Sequence, residues 1–254
     1  MPIQLQRHGR AATLVLDRPP LNILDLDTLS LLDQGVAELA AEPELTVLFV
    51  RGAAGSRAFS AGVAVEDHAP ERVEAMLAGL HGAIRRLRAL PAVTVAAVHG
   101  HCLGGGMELA LACDLMLASD DARFAQPEID LGCFPPVGAA LYPGLLGPAR
   151  ALDLLLTGRA LGAAELEAMG LIARRVPAGH LDQAIVGFAA ELAGKSAAVV
   201  RLIKRAVRAG RDLPFPAALA ESERLYVAEL CRTADMPEGI AAFLEKRPPV
   251  WRHS

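Results

Sequence analysis

The first part of the chain alternates short apolar runs with longer amphipathic stretches. Ala11–Leu16 predicts a strand, and Thr46–Val50 is a continuous apolar run of the kind found in sheets covered on both faces. Apolar residues recur at helical spacing over Leu26–Ala41 and over Arg72–Leu90, and a proline follows shortly after each stretch. This alternation predicts a layered core of strands and helices, the α/β class.

The middle of the chain continues the alternation with shorter elements. Ala92–Val98 predicts a strand that runs through a glycine-rich loop into a short helix, Met107–Ala112. A strand at Leu115–Ser119 and an extended piece at Ala122–Ala125 come next. We therefore expect further strand–helix units to extend the same core.

Beyond Pro148 the pattern is helical. Asp235 and Glu238 stand three residues apart, the spacing of a capping box with Asp235 as the N-cap. We expect an α/β core over residues 1–190 and a helical C-terminal subdomain over residues 191–254. The predicted helices are Ala149–Leu156, Ala163–Met169, Leu181–Leu192, Ala197–Ala209, Ala217–Leu230 and Pro237–Lys246.

Length, composition and charge narrow the function classes. The 254 residues, 53% of them hydrophobic, are enough to fold around a sizeable core and argue against disorder. A net charge of −4 gives no reason to expect nucleic acid or an anionic membrane as a partner. Basic residues cluster at Arg85, Arg86 and Arg88 and again at Lys204, Arg205 and Arg208, and we interpret both clusters as solvated helix faces.

The cysteines and the apolar runs indicate in which cellular compartment the protein is expected and whether a metal site is expected. The four cysteines form no C-x-x-C pair, so we expect neither a zinc site nor a disulfide framework, but a reducing cytoplasm. The N-terminal residues carry charge without a long apolar run behind it, so no signal peptide is predicted. No run of about eighteen apolar residues occurs, so no membrane span is predicted. No metal site is expected.

Three stretches carry candidate chemistry. They are RAFSAGVAVEDH (Arg57–His68), HGHCLGGGMELA (His99–Ala110) and FAQPEIDLG (Phe124–Gly132). In the second stretch, three glycines precede a helix, so exposed N–H groups and the positive end of the helix dipole converge on one point. That arrangement suits a phosphate, a carboxylate or a developing oxyanion.

A nearby carboxylate favours the oxyanion. No dinucleotide-binding or P-loop motif is present here, and Glu108, in the first turn of the helix, would repel a phosphate. Glu128 is a second candidate, and two carboxylates around a bound water form a general acid–base pair. Simpler explanations stay open: Glu108 as a carboxylate favoured by the helix dipole, Glu128 as a solvated turn residue, and the glycines as a site of tight packing.

In this order, these stretches resemble the crotonase (enoyl-CoA hydratase/isomerase) superfamily. The resemblance runs over nearly the whole chain through RPPLN, AFSAG, LGGGMELALACDL, QPEIDLG, LLLTGRALGAAELEAMGLIARRV and AAFLEKRPP. It implies a spiral of ββα turns and C-terminal helices that form homotrimers, often paired into hexamers. It also implies an acyl-CoA thioester as substrate and no bound cofactor, because coenzyme A is part of the substrate.

The resemblance assigns roles to individual residues. The backbone N–H groups of Val63 and Gly105 would form an oxyanion hole for the thioester carbonyl. Lys246 would reach the CoA phosphates, from a neighbouring subunit. The residues implied along the path of CoA are Ala61, Val63, Ala64, Val65 and Glu66.

Two glutamates distinguish the reactions of this superfamily. By resemblance, Glu108 would hold and activate a water, and Glu128 would supply the proton to the α-carbon. Members similar to the hydratases have both, whereas many isomerases, dehalogenases and hydrolases have one, so hydration is favoured over double-bond migration. An isomerase or another single-glutamate reaction stays the alternative. A non-catalytic acyl-CoA-binding or RNA-associated relative is another, against which the overall charge and both glutamates argue.

The chain departs from the usual family pattern in two places. Ala64 stands where the family usually has an aspartate. After Glu128 the chain has LGCFPPVGAALYPGLLG in place of a G-x-G-G-T-Q-R-L run, and in this it resembles the cyclohexa-1,5-diene-1-carbonyl-CoA hydratases. Pro135 and Pro136 would stiffen the pocket wall and Phe134 would suit a ring substrate, unless this loop has simply drifted.

His68 is a further polar residue in the first of the three stretches. It stands directly after Glu66 and Asp67. Its imidazole would serve either as polar lining of the pocket or in a surface or capping role.

Overall fold

The strands divide between two sheets in the computed structural model, which describes all of residues 1–254. In the larger sheet, of order β1-β2-β3-β5-β7-β10, β1 is antiparallel to β2 and every other neighbouring pair is parallel. Its strands, β1, β2, β3, β5, β7 and β10 in turn, are Ile3–His8, Ala11–Leu16, Val47–Gly52, Val93–Val98, Leu115–Ser119 and Arg174–Val176.

The smaller sheet has the order β4-β6-β8-β9. Its strands are Ala58–Ser60, His101–Leu103, Arg123–Ala125 and Leu161–Gly162. Its first three strands are mutually parallel, and β9 is antiparallel to β8.

Each turn of the chain gives one strand to each sheet and then forms helical structure. β3 and β4 precede α2 (Val73–Ala89), β5 and β6 precede α3 (Gly105–Ala112), and β7 and β8 precede a 3₁₀ turn (Pro127–Leu131) and α4 (Pro136–Leu146). The predicted spiral of ββα turns is confirmed. Because every turn repeats the same geometry, the loops after β4, β6 and β8 follow three strands that lie side by side.

The other helices precede the spiral or follow it. The predicted strand Ala11–Leu16 is found with the same bounds, and helix α1 ends one residue before its predicted end. The helices, α1 and then α5 to α10, are Leu26–Ala40, Pro148–Thr157, Ala163–Ala168, Leu181–Ala193, Ala197–Gly210, Phe215–Ala228 and Asp235–Leu244.

Strand β1, helix α4 and the short strands β4, β6, β9 and β10 were missed. Strand β1 (IQLQRH) lies at the edge of the sheet and is largely exposed, so polar residues interrupt its apolar pattern. Helix α4 contains Pro136 in its first turn and Pro143 in its interior, and both obscured its pattern.

The core fills both faces of the larger sheet. The apolar stripes of α1 and α2 pack on one face, with Leu32 and Leu87 fully buried. On the other face, Phe49 of β3 meets Phe188 of α7 edge to face, with ring centroids 6.3 Å apart. Burial on both faces explains why the strand Val47–Gly52 is apolar at successive positions.

The C-terminal helices continue directly from this core. Helix α7 covers the sheet, and it spans the predicted boundary between residues 190 and 191. Helices α8, α9 and α10 follow and leave several large apolar side chains exposed. The division at residue 190 stays a prediction.

The predicted capping box at Asp235 and Glu238 is wrong. Asp235 is the first residue of α10 and is buried, and its carboxylate accepts hydrogen bonds from Arg252 N at 2.6 Å and His253 N at 2.9 Å. Glu238 instead pairs with Arg247 at 2.6 Å. The C-terminal end of the chain folds back over α10. The Asp235 carboxylate therefore binds backbone N–H groups of this end instead of capping the helix.

The second basic cluster is not a solvated face. Lys204 is buried, and its Nζ lies 2.6 Å from Ala92 O and 2.7 Å from Asp114 Oδ2. Arg208 Nη2 lies 2.6 Å from the other oxygen of Asp114. Helix α8 thus joins the core through a buried ion-pair network, whereas Arg85 and Arg86 in the first cluster are exposed as predicted.

Three findings bear on the predicted absences. None of the helices has the length and apolar character needed to cross a membrane. No group of three or more His, Cys, Asp or Glu side chains is placed to hold a metal ion. All four cysteines are unpaired.

Candidate active site

A cavity of about 460 Å³ opens where the loops after β4, β6 and β8 meet. Val63 lies on the first loop, Gly105 and Glu108 lie at the start of α3, and Glu128 lies in the 3₁₀ turn after β8. Helix α2 forms the opposite wall. The three stretches singled out in the sequence therefore line one space.

Val63 and Gly105 lie in close contact across this space. A Cβ atom placed on Gly105 would lie 2.7 Å from Val63 Cγ2 and 3.5 Å from Val63 N. Gly62 has a φ of +100°, and a Cβ there would lie 3.0 Å from Leu103 O. Only glycine permits this backbone conformation together with this approach of the two loops.

The N–H groups of Val63 and Gly105 are both free. Neither donates a hydrogen bond to a protein acceptor, although the neighbouring Ala64 N bonds Leu24 O at 3.3 Å and Gly104 N bonds Ala125 O at 3.0 Å. Gly105 is the first residue of α3, so the positive end of that helix adds to its N–H. Two free donors on converging loops are the arrangement that stabilises an oxyanion.

Glu108 is held by the start of helix α4. Its Oε1 accepts hydrogen bonds from Val137 N at 2.7 Å and Gly138 N at 3.0 Å. The carboxyl is buried, and burial raises its pKa to about 7 although these two hydrogen bonds favour the charged form. Glu108 is therefore fixed in position and has a pKa close to neutral pH.

Glu128 is the second buried carboxyl of the cavity. Burial, as the main cause, and the charge of Glu108 together raise its pKa to about 7. The backbone of Gly104, which has a φ of +51°, lies directly beside the Glu128 carboxyl. A Cβ atom on Gly104 would lie 2.9 Å from Glu128 Oε1. With its amide turned so that the nitrogen faces the acceptors, Gln126 Nε2 lies 3.2 Å from both Glu128 carboxylate oxygens and from Gly104 O.

The pair of glutamates suits general acid–base chemistry. Like charges in one dry cavity disfavour double ionisation, so one carboxyl is protonated while the other is ionised near neutral pH. One group then accepts a proton from water while the other donates one.

The remaining wall is mostly apolar. One side is a stripe of α2 and the other is the segment that joins the 3₁₀ turn to α4. The apolar residues of these two walls are Val73, Met76, Leu77, Leu80, Leu131, Phe134, Pro135 and Pro136. Phe134 is 66% exposed, so its ring is available to a bound group.

A second cavity of about 480 Å³ lies on the other side of the Val63–Glu66 segment. Arg18 and Arg72 line it together with Ala64 and Glu66. Arg18 pairs with Asp25 at 2.7 Å and Arg72 pairs with the buried Asp67 at 2.6 Å.

The predicted site residues fall into three places. Ala61, Val63 and Val65 line the first cavity beside both glutamates and Gly105, whereas Ala64 and Glu66 line the second. Lys246 is exposed and lines neither cavity of its own subunit.

Sequence reasoning missed Gln126, Arg18 and Arg72. Gln126 belongs to the QPE motif already singled out, and its place two residues before Glu128 was the available signal. Arg18 begins the RPPLN stretch of the family resemblance, but only the fold brings it close to the loop after β4. Arg72 was taken only as the start of a helix.

Comparisons with known proteins agree with this geometry. The model of the enoyl-CoA hydratase/isomerase family matches residues 7–254. A probable enoyl-CoA hydratase of Mycobacterium tuberculosis is 36% identical over 254 residues, covering 99% of this chain and 98% of that protein. A cyclohexa-1,5-dienecarbonyl-CoA hydratase of Thauera aromatica is 37% identical over 252 residues, covering 99% and 96%.

Solved structures give the same result. The crystal structure of an enoyl-CoA hydratase from Bacillus anthracis superimposes with a TM-score of 0.94 at 30% identity and covers 100% of both chains. The predicted resemblance is thus confirmed at the level of sequence and fold. This chain belongs to the enoyl-CoA hydratase/isomerase family, the crotonase superfamily, and it is a lyase of the enoyl-CoA hydratase type.

Proposed function

We propose that this hydratase acts on a cyclic dienoyl-CoA such as cyclohexa-1,5-diene-1-carbonyl-CoA. The observation that carries the proposal is the cavity wall formed by Phe134, Pro135 and Pro136. A flat exposed aromatic ring beside two rigid prolines matches the face of a six-membered ring better than a mobile chain. The similarity to the Thauera aromatica protein, whose name states this substrate, supports the same assignment.

In the proposed reaction, the thioester oxygen binds to the N–H groups of Val63 and Gly105. Glu108, fixed by helix α4, accepts a proton from the attacking water. Electrons move through the conjugated double bond to the thioester oxygen, where the two N–H groups stabilise the negative charge. Glu128 then donates its proton to the α-carbon, and the charge returns to form the product.

The nucleotide end of CoA fits the second cavity. The segment Val63–Glu66 separates the two cavities, so a thioester bound at Val63 would extend over Ala64. Arg18 and Arg72 would bind phosphates there through guanidinium N–H groups that their partners Asp25 and Asp67 leave free. Lys246 is exposed and would add a charge from a neighbouring subunit.

We further propose a homotrimer, alone or paired into a hexamer, in the cytoplasm. Large apolar side chains exposed on the C-terminal helices, among them Ile203, Phe215 and Phe243, support association. Four unpaired cysteines fit a reducing compartment.

Hydration assays on two thioesters test the substrate. With crotonyl-CoA and cyclohexa-1,5-diene-1-carbonyl-CoA at equal concentration, the loss of thioester-conjugated absorbance should be faster for the cyclic compound. Faster turnover of crotonyl-CoA would refute the ring assignment and leave a linear enoyl-CoA hydratase. Binding of both thioesters without turnover would refute hydration and leave an acyl-CoA-binding protein.

Replacement of one glutamate separates hydration from isomerisation. Glu128→Gln should lower kcat of hydration by about 100-fold or more, because the proton donor to the α-carbon is lost. An isomerase that worked through Glu108 alone would keep its rate in this variant. Product analysis by mass spectrometry distinguishes the two, since only hydration adds the mass of water.

A further inference from the structure

The first cavity, called the acyl cavity below because it would hold the acyl group, is lined by a polar side chain that has no role in the proposed hydration. His68 lines it beside Val65 and Val73 and is half-buried. Its Nδ1 lies 3.2 Å from Ala64 O, which is the only protein hydrogen bond that the ring makes. The sequence left open whether His68 lines the pocket or caps a turn, and the imidazole does both.

This contact fixes which nitrogen of the ring faces the ligand. A carbonyl oxygen only accepts hydrogen bonds, so Nδ1 of His68 must carry the proton. In the neutral ring Nε2 is then an acceptor, and it has no protein partner. His68 thus has an acceptor without a protein partner, on a side chain that lines the cavity and is held by the backbone of the loop after β4.

Helix α2 sets the distance of His68 from the reacting carbonyl. Leu80 is the α2 residue next to the oxyanion hole, because a Cβ on Gly105 would lie 3.2 Å from Leu80 Cδ2. From Leu80, the residues of α2 that line the cavity continue along one face of the helix through Met76 to Val73. Val73 lies in the first turn of α2, and His68 lines the cavity with it. At 1.5 Å per residue, Val73 and Leu80 are about 10 Å apart along the axis, so the Val73 end of the cavity, which His68 also lines, is the end remote from Gly105.

We propose that His68 recognises a hydroxyl group on the acyl moiety, at the end remote from the thioester. The inference rests on the proposed function, because it requires the thioester carbonyl to lie at Val63 and Gly105. A hydroxyl is the group that matches a neutral acceptor. An acyl carboxylate does not match, since no Lys or Arg lines this cavity and Glu108 and Glu128 would repel it.

Binding of two saturated thioesters tests this inference without turnover. Cyclohexanecarbonyl-CoA and trans-4-hydroxycyclohexanecarbonyl-CoA differ only in a hydroxyl opposite the carbonyl, and calorimetry gives both dissociation constants. The ratio of the two Kd values, hydroxylated over plain, should rise about tenfold in His68→Leu relative to the wild type, the effect of one lost hydrogen bond. His68→Gln should keep this ratio within about threefold of the wild type, because the amide restores an acceptor.

A matched control separates recognition from support of the loop. His180 makes the same kind of bond, from Nδ1 to Ala178 O at 3.2 Å, but is exposed and outside the cavity. His180→Leu should leave both Kd values unchanged. If His68→Leu weakens both ligands equally, His68 only braces Ala64 and the inference is overturned. If the wild type binds neither thioester, the proposed function itself fails.

Discussion

At the scale of single residues, burial decides the chemistry of the two glutamates. Glu108 and Glu128 have pKa values raised to about 7, chiefly by desolvation, and each is held by different donors. Backbone N–H groups of α4 hold Glu108, whereas the side-chain amide of Gln126 faces Glu128. The difference in donors allows each carboxyl to be tested separately.

The raised pKa of Glu128 predicts a pH-dependent cost in stability. From pH 5 to pH 8 the carboxyl ionises in the unfolded chain before it ionises in the folded protein, so the wild-type free energy of unfolding falls as pH rises. Glu128→Gln lacks this titration. Its free energy of unfolding, measured relative to that of the wild type, should therefore increase by about 2–3 kcal/mol from pH 5 to pH 8. Urea denaturation at both pH values measures it.

An exposed glutamate provides the control for that measurement. Glu74 lies on the solvent side of α2, and Glu74→Gln should show no such gain. If the difference in free energy of unfolding between Glu128→Gln and the wild type stays constant from pH 5 to pH 8, the raised pKa of Glu128 is contradicted.

Replacement of Gln126 should shift the pH–rate profile of the enzyme. Its amide donates to the carboxylate form of Glu128, so Gln126→Met should raise the pKa of Glu128 by about 1 unit and lower kcat by about tenfold. The limb of kcat/KM that reports Glu128 should therefore move to higher pH. Gln34→Met, at an exposed position of α1, is the control. A limb that stays in place, or moves to lower pH, would show that Gln126 does not act on Glu128.

At the scale of elements, the glycines between β6 and α3 allow the loops of the site to approach each other. Gly104 must adopt a positive φ and must also leave room for Glu128. Gly106 serves packing alone, because a Cβ there would lie 2.5 Å from Ser60 O. The two roles considered for this glycine run, tight packing and an oxyanion site, therefore belong to neighbouring glycines.

Two glycines share a positive φ but differ in their surroundings, so they separate strain from obstruction. Gly104→Ala and Gly9→Ala both place alanine at a positive φ, at a cost of about 1–3 kcal/mol in the free energy of unfolding. Only Gly104→Ala puts a methyl group 2.9 Å from Glu128 Oε1, so it alone should lower kcat, by about 100-fold. Equal activity in the two variants would show that Glu128 does not need its present position.

At the scale of the whole molecule, the C-terminal helices present more apolar surface than a monomer needs. Phe243 of α10 is 84% exposed, and Val207 and Val227 on α8 and α9 are also exposed. Such side chains are costly in water unless another subunit covers them.

A charge on this surface should therefore dissociate the assembly. In analytical ultracentrifugation the wild type should sediment as a trimer or hexamer, and Phe243→Asp should shift it to smaller species at micromolar concentration. Ser30→Asp, at an exposed polar position of α1, should not. A wild type that sediments as a monomer at every concentration would refute the proposed oligomer.

Much of the fold was predictable because its signals are local. The strands Ala11–Leu16 and Leu115–Ser119 and the helix α1 are periodic over their own length, and their predicted bounds agree with the structure to within one residue. Strand β1 and helix α4 were missed, because an exposed edge and internal prolines remove that periodicity. Asp235 was misassigned, because its partners lie at the distant chain end.

The sequence alone determined the layered α/β class, the family resemblance and the candidates Glu108, Glu128, Val63 and Gly105, because motif and period are written in neighbouring residues. Only the tertiary structure decided that both carboxyls are buried together, that Gln126 faces Glu128 and that His68 lines the same cavity with its Nδ1 bonded to Ala64 O. Desolvation and hydrogen bonding depend on groups that are distant along the chain, and folding is what brings those groups into contact.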